Sequence, residues 1–239
     1  MNKINTILAA VGALLMLSVT SANSVEFKAG VSANGMAAYA NAKETLKDSG
    51  AVTNEEAILA TSFASVFAEI SSDEMMGLGI GISYASEVAD LNKETRNIQN
   101  CDDAVSTTCN SYSSGDTGAQ IVDAKINDLV SIYATLPVGD TGAYVKAGYI
   151  QATMVTEESL ATGSKYEDVD MTGTTLGGGF EGSLGDMAFW RAEGSYQMWE
   201  DIRADGSEAD NGSTDTTKNK IEAEIGSVTG SLSIGMKFL

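Results

Sequence analysis

The sequence predicts an all-β fold, an eight-stranded antiparallel up-and-down transmembrane β-barrel, and three observations support it. The first is strict alternation: from Met76 to Tyr84 every even position is large and apolar, and every odd position is Gly or Ser. The second is a regular exchange of short turns and long polar loops. The third is composition, with 25 glycines and one proline in 239 residues. A strand with one apolar face and one face of very small side chains suits a wall between lipid and a crowded lumen.

Eight segments with this period of two follow one another along the chain. Most of them set apolar residues against polar or small ones, whereas the second carries apolar residues on both faces. The predicted strands span residues 25–39, 58–71, 75–86, 121–136, 143–156, 171–181, 187–199 and 220–239. On the apolar faces, the residues expected to contact lipid are Phe27, Val31, Leu78, Ile80, Ile82, Ile126, Val130, Val145, Trp190, Ile234 and Phe238.

The connections between these strands differ in length in an ordered way. Short turns rich in Gly, Pro, Ser and Asp join strands 2 and 3, 4 and 5, and 6 and 7 at residues 71–74, 137–142 and 182–186. Long, polar, acidic loops make the other four connections. Three short turns at one end and four long loops at the other are typical of outer-membrane barrels, with the loops outside the cell.

The first residues of the chain predict a secretory signal peptide. Lys3 gives a positive start, residues 7–19 form an apolar stretch too short for a confident membrane span, and small residues precede a cleavage site after Ala22. We therefore expect a signal peptide over residues 1–22 and a single barrel domain over residues 23–239. A single N-terminal membrane anchor is the alternative.

The composition is acidic, with 33 Asp and Glu against 14 Lys and Arg and a net charge of −19. Such a surface disfavours nucleic acid as a partner. The chain has no histidine, the residue that titrates near neutral pH and most often serves as general acid or base. We expect no catalytic residues, no cofactor and no metal site. Spaced carboxylates after the seventh strand leave calcium binding open, although the ligand order of a known calcium loop is absent.

Two cysteines, Cys101 and Cys109, lie close together in the polar loop between the third and fourth predicted strands. In an exported protein an even number of cysteines predicts a disulfide. Zinc is a poor alternative, because two thiolates are too few ligands and no histidine is available.

Charged residues occur on the polar faces of the strands, where a barrel places them in its lumen. Five acids and five bases have this position: Glu26, Lys28, Glu69, Asp123, Lys125, Lys146, Glu181, Arg191, Glu193 and Lys237. Their charges sum to zero, so the net charge of the chain lies in its loops and turns. An ion path is one interpretation. The other, favoured by the narrow interior of eight strands, is a structural network of ion pairs that fills the lumen. We expect Glu181 and Glu193 to neutralise Arg191 and Lys146.

With its signal peptide, alternating strands, loop asymmetry and a final strand that ends in Phe238 and Leu239, the mature chain resembles the small eight-stranded outer-membrane barrels. These include the membrane domain of the outer-membrane protein A type and the opacity-like and outer-membrane protein X-like proteins. The resemblance implies the bacterial outer membrane, contact with its lipid, and a monomer. Barrel enzymes of that membrane depend on a histidine that this chain lacks.

The expected function is therefore a non-catalytic outer-membrane barrel with a structural and surface-interaction role. Its acidic loops would present a binding surface to an extracellular ligand or another surface. A narrow porin-like channel for ions or small molecules is the alternative, and a soluble exported β-protein that binds a small ligand is a third hypothesis.

Overall fold

The computed structural model describes residues 25–45, 52–72, 76–90, 94–97, 119–159, 166–206 and 220–238. Within these ranges, the side chains of 94–97, 119–123 and 157–159 are left undescribed. The predicted signal peptide, Cys101 and Cys109 lie outside the described residues. No helix in the described part of the chain is long and apolar enough to cross a membrane.

The described residues form strands joined in one antiparallel sheet. In chain order the strands are β1 (Val25–Thr45), β2 (Val52–Ser72), β3 (Leu78–Asp90), β4 (Glu94–Asn97), β5 (Ala119–Pro137), β6 (Ala143–Ser159), β7 (Val169–Ser183), β8 (Ala188–Trp199), β9 (Ile202–Asp205) and β10 (Lys220–Phe238).

Eight of these strands close into a ring. Sequential long strands pair with each other, β4 and β9 are short additions beside β5 and β10, and the first strand pairs with the last. This closing pair runs without interruption from Phe27 opposite Phe238 to Thr45 opposite Lys220. The predicted eight-stranded antiparallel barrel is confirmed, and closure leaves no free edge among these eight strands.

The two ends of the ring differ, and we name them by their connections. The turn end holds the short links between β2 and β3, β5 and β6, and β7 and β8, together with the start of β1 and the end of β10. The loop end holds the opposite ends of the strands. β1 and β2 each have 21 residues and extend farther toward the loop end than the predicted strands did, since β2 begins at Val52 rather than at residue 58.

The outer surface of the ring is apolar and exposed. Most of the predicted lipid-facing residues stand on it, and they include Val31, Ile80, Val145, Trp190, Ile234 and Phe238. The inward positions of β2 carry Leu59, Phe63 and Phe67, which explains why both faces of that strand read as apolar in the sequence. An apolar outer face and an inner face that mixes polar and apolar side chains are the opposite of a soluble β-sandwich, in which the apolar faces point inward.

A bulge in β5 overturns part of the predicted facing. Pairing with β6 shifts between Asn127 and Val130, and Asp128 lies there with a positive φ of 55°. An extra residue in a strand reverses the alternation beyond it. Ile126, predicted to face lipid, therefore packs inside against the cluster of Met36, Ala85 and Val88.

One further prediction is corrected on the same strand, and another holds only for the direction in which the side chain points. Lys125, adjacent to Ile126, lies on the opposite, outer face rather than in the lumen, in register with Asp90. Val130 shares the outward facing of Ile132, but it is only 7% exposed and lies beside Tyr84 in the sheet. Asp123 belongs to the part of β5 whose side chains are not described.

Candidate functional site

The lumen near the turn end is lined by charged and aromatic side chains, for which two glycines of β3 leave room. A β-carbon at Gly81 would lie 2.5 Å from the ring of Tyr133 on β5, and one at Gly79 would lie 3.1 Å from a carboxylate oxygen of Glu69 on β2. The first distance is too short for a real side chain, and a β-carbon at Gly79 would also clash with the hydroxyl of Thr135. The lumen-facing positions of the alternating segment are therefore glycine because larger neighbouring side chains occupy the space.

Arg191 on β8 is the centre of this region. Its Nη1 and Nη2 donate hydrogen bonds of 2.9 and 2.6 Å to the two carboxylate oxygens of Glu69, and its Nε donates one of 2.8 Å to Glu181. The side chains of Arg191 and Glu69 are 6% and 1% exposed. β10 and β1 separate β8 from β2 by the shorter way around the ring, so this paired contact crosses the bore. Two parallel bonds make it a strong and geometrically specific ion pair.

Glu181 on β7 is the second centre, because its carboxylate forms ion pairs with three cations. Besides Arg191, Lys237 lies 2.8 Å from its carboxylate and Lys28 lies 3.1 Å from it. Lys28 also lies 3.1 Å from Glu26. We call these six residues the charge cluster: Glu26, Lys28, Glu69, Glu181, Arg191 and Lys237. Three acids balance three bases, which is the condition under which buried charges are tolerated.

Aromatic rings surround the guanidinium of Arg191. Its central carbon lies 5.4 Å from the ring centre of Phe67, 5.2 Å from that of Phe189 and 5.4 Å from that of Tyr144. Phe67 and Phe189 also meet each other edge to face, with ring centres 6.1 Å apart. Cation–π attraction adds to the ion pairs, and the rings exclude water from around them. This part of the lumen is therefore closed by packing as well as by charge.

A separate ion pair lies next to the charge cluster. Lys146 on β6 donates a 2.7 Å hydrogen bond to Glu193 on β8, which also accepts a 2.9 Å bond from the hydroxyl of Tyr144. The Lys146 ammonium lies 4.1 Å from the ring centre of Tyr133. The eight predicted lumen charges that the structure brings together thus form two groups that are each neutral.

Toward the loop end the lumen lining changes to uncharged polar groups. Gln197 donates to Thr229 at 2.9 Å and accepts from Ser227 at 2.8 Å, while the indole of Trp199 donates to Ser227 at 3.1 Å. On the other side, Asn34 bridges hydroxyl groups of β2 and β10. These bonds cross-link neighbouring strands on the lumen side.

Beyond these polar groups, on the β1, β3 and β5 side, lies an apolar layer. Met36, Ala85 and Val88 are buried there, and four partly buried side chains pack on them: Ala38, Phe63, Ile126 and Leu129. β5 supplies two of these residues: Leu129 faces inward by its alternation with Ser131, and the bulge turns Ile126 inward as well.

The structure brings together eight of the ten residues predicted for the lumen, all except Asp123 and Lys125. Arg191 does contact Glu181, and Lys146 does contact Glu193. The sequence did not indicate that Glu69 would pair with Arg191 across the bore. Alternation shows which side chains face the lumen, but it does not show which of them meet when their strands are not neighbours.

The aromatic residues inside the barrel were not predicted from the sequence. The alternation could have revealed them, because residues two apart in a strand share a face. Phe67 and Phe189 each lie two residues from a lumen charge, at Glu69 and Arg191. Within the described residues, no group of three or more His, Cys, Asp or Glu side chains is placed to hold a metal ion.

Comparisons with known proteins give similarity in structure only. No protein-family model and no curated protein sequence matches this chain. Among solved structures, the outer membrane protein OprG from Pseudomonas aeruginosa is 12% identical, with 90% of this chain and 96% of that chain covered and a TM-score of 0.47. Ail, the attachment invasion locus protein of Yersinia pestis, is 12% identical over 87% of this chain and 99% of that chain, with a TM-score of 0.37. The outer membrane protease OmpT from Escherichia coli is 12% identical over 92% of this chain and 100% of that chain, with a TM-score of 0.44.

Proposed function

We propose that this chain is a non-catalytic barrel of the bacterial outer membrane, exported by a cleaved signal peptide, whose closed wall carries acidic loops at the cell surface. The observation that carries the proposal is the pairing of an apolar outer face with a lumen that ion pairs cross. The apolar outer face bears on the location of the barrel in a membrane. The ion pairs across the lumen bear on whether ions can pass through it.

The outer face supports the membrane location. On β10, consecutive outward residues are large and apolar, and Leu232 and Ile234 are 69% and 61% exposed. Soluble proteins rarely expose a continuous apolar surface of this kind, because leaving it in water is unfavourable. Hydrocarbon removes that penalty, which argues against the soluble alternative.

The lumen supports a structural rather than a conducting role. The Arg191–Glu69 pair and the Lys28–Glu181 pair both join strands that face each other across the bore, and aromatic rings fill the space beside them. An ion would have to displace these partners in order to pass. A narrow channel remains the competing function, and a conductance measurement separates the two.

The strand ends at the loop end support a role in surface interaction. Above the outward aromatic Tyr39, the next outward position of β1 is Asn41, which is flanked by Glu56 and Glu224. Lys43 follows, opposite Glu222. Charges of both signs on the outer face mark the level at which the strands leave the hydrocarbon, and the acidic loops continue from there.

Composition and the lumen contacts support the proposed non-catalytic role. The chain contains no histidine, and the four described lumen carboxylates each lie against a cation. Paired carboxylates of this kind are unsuited to general acid–base work near neutral pH.

The first experiment tests the location and the fold together. Cells that express the full chain are fractionated, and the outer-membrane fraction is run on detergent gels with and without boiling. We expect the protein in that fraction, with a shift in mobility on boiling, and loop-tagged variants that protease cleaves on intact cells. Recovery of the mature protein in the soluble periplasm would overturn the proposal.

The second experiment tests closure of the lumen. Purified protein is inserted into planar bilayers, and currents are compared with those of an Arg191→Ala, Glu69→Ala variant. We expect no steady conductance from the unaltered barrel. A steady ohmic current from it would favour the channel function instead.

A further inference from the structure

Two small cavities in the described part of the lumen lie between the charge cluster and the apolar layer. The larger has a volume of about 70 Å³ and is lined by Ser83, Ser131 and Thr175 on one side and by Met36 and Leu129 on another. The smaller, of about 50 Å³, borders Arg191 and shares Asn34, Ser83 and Lys146 with the larger. We call the larger cavity the Ser131 chamber.

The hydroxyl of Ser131 makes this chamber unusual. Ser131 is 7% exposed, and its Oγ is the one buried side-chain nitrogen or oxygen in the described part of the chain that lacks a hydrogen-bond partner. Native proteins rarely leave a buried hydroxyl unsatisfied, because it loses its bonds to solvent and gains none in return. A hydroxyl that borders a cavity is satisfied when the cavity holds a hydrogen-bonding molecule.

The size and lining of the chamber select water as that molecule. At roughly 30 Å³ per water, the chamber has room for about two, and each would find several hydroxyl and amide groups within its walls. Purely apolar cavities stay dry, but this one is bordered by Ser83, Ser131 and Gln197 as well as by the Lys146–Glu193 pair.

The apolar layer covers the chamber toward the loop end. Met36 and Leu129 belong to both, and Ile126 packs behind them. Leu129 and Ile126 both face inward only because the bulge at Asp128 inserts an extra residue between them. An uninterrupted alternation from Ser131 would have placed Ile126 on the outer face.

We propose that the Ser131 chamber is a buried water site, sealed toward the loop end by the apolar layer, to which the β5 bulge adds Ile126, and toward the turn end by the charge cluster. Water in the chamber satisfies the Ser131 hydroxyl and solvates the Lys146–Glu193 pair. The seal keeps this water from exchanging freely with the outside. The proposal depends on the barrel fold and stands apart from the outer-membrane role.

One experiment looks for the water directly. A crystal structure of the barrel at a resolution that orders internal water should show a water oxygen within hydrogen-bonding distance of Ser131 Oγ. In Ser131→Val the side chain should fill the space and that water should be absent. A chamber without ordered density in the unaltered protein would overturn the water site.

A second experiment tests the seal. In a Cys101→Ser, Cys109→Ser background, Ser131→Cys is treated in detergent micelles with a small cationic methanethiosulfonate reagent. Labelling should be at least tenfold slower than at an exposed turn cysteine, Asp140→Cys. Adding Leu129→Ser should raise the rate at least tenfold, whereas Ile132→Ser on the outer face of the same strand should leave it unchanged.

Two outcomes of that experiment would overturn the seal: fast labelling of Ser131→Cys in the otherwise unaltered barrel, or no acceleration by Leu129→Ser. The mobility shift on boiling reports whether each variant is folded. If Ser131→Cys does not fold, Ser83→Cys, which lines the same chamber, takes its place in both comparisons.

Discussion

The hydroxyl of Tyr84 on β3 donates a 2.6 Å hydrogen bond to the carboxylate of Asp128 on β5. Asp128 is the residue of the β5 bulge whose backbone lies in the left-handed region, with φ of 55°. Asp and Asn tolerate this conformation better than other non-glycine residues do. The bond therefore fixes the residue at which β5 reverses its facing to an outward aromatic residue of the neighbouring strand.

The first prediction concerns this bulge. Asp128→Val should lower the free energy of unfolding by about 1–3 kcal/mol, because a β-branched residue is strained at positive φ and cannot accept the Tyr84 bond. Asp128→Asn keeps an acceptor and the conformational tolerance, so its effect should be smaller. Urea unfolding of the refolded barrel measures both. Asp140→Val, at an exposed turn position without positive φ, is the control, and an equal loss there would contradict the role of the bulge.

The second prediction concerns Cys101 and Cys109, which lie outside the described residues. We expect them to form a disulfide, because both occur in one polar loop of an exported chain. The loop they close is short, so the bond should contribute less than about 3 kcal/mol and act locally. Thiol labelling of the denatured, unreduced mature protein should find no free cysteine. Two labelled cysteines per chain would refute the bond.

The third prediction separates the two faces of β3. Ile80→Arg should impair insertion into lipid vesicles by about 2–4 kcal/mol if its site is near the middle of the bilayer. Gly81→Ala should also destabilise the barrel, by about 1–3 kcal/mol, because its β-carbon would lie 2.5 Å from the buried ring of Tyr133. The first loss arises from lipid and the second from lumen packing.

Gly35→Ala is the matched control for these two variants. Gly35 lies on the outer face of β1, and a β-carbon there would meet nothing within 4 Å. Urea unfolding and the folded fraction in vesicles should both be unchanged or slightly improved. If Gly35→Ala costs as much as Gly81→Ala, crowding in the lumen is not what requires glycine at position 81.

The Gly face of β3 also shows how far the sequence could predict the site. Alternation from Met76 to Tyr84 correctly indicated which face would be crowded, since a period of two is a local property of a strand. It did not indicate the contacts with Glu69 and Thr135, which leave no room for a side chain at position 79. Such contacts join different strands, and local periodicity carries no information about them.

The bulge marks the other limit. Alternation across residues 121–136 looks regular in the sequence, and it placed Ile126 and Lys125 on the wrong faces. This bulge has one residue in the left-handed conformation, Asp128, and a single Asp is not distinctive enough in the sequence to reveal it. The strand count, by contrast, rested on several segments and on loop lengths that had to agree, and a local error in one strand could not alter it.

The last prediction concerns the ion pair that crosses the bore. Arg191→Met should lower the free energy of unfolding by about 3–5 kcal/mol, because it leaves the carboxylate of Glu69 buried without its main partner. Among the described cations, Glu69 then retains only Lys28, at 3.9 Å, whereas Glu181 retains both Lys28 and Lys237, at 3.1 and 2.8 Å. The second variant that relieves the loss should therefore be Glu69→Gln rather than Glu181→Gln.

Two double-mutant cycles on urea unfolding measure this difference. The coupling energy of Arg191→Met with Glu69→Gln should be the larger of the two, by about 1 kcal/mol or more. Arg191 donates two hydrogen bonds to Glu69, and Glu69 is the more deeply buried carboxylate. The Arg191 and Glu181 cycle should show a smaller coupling, because two lysines still neutralise that carboxylate. Additive losses in both cycles would mean that water screens these charges separately. The lumen would then be hydrated at the level of Arg191, and a conducting barrel would become the better account of the molecule.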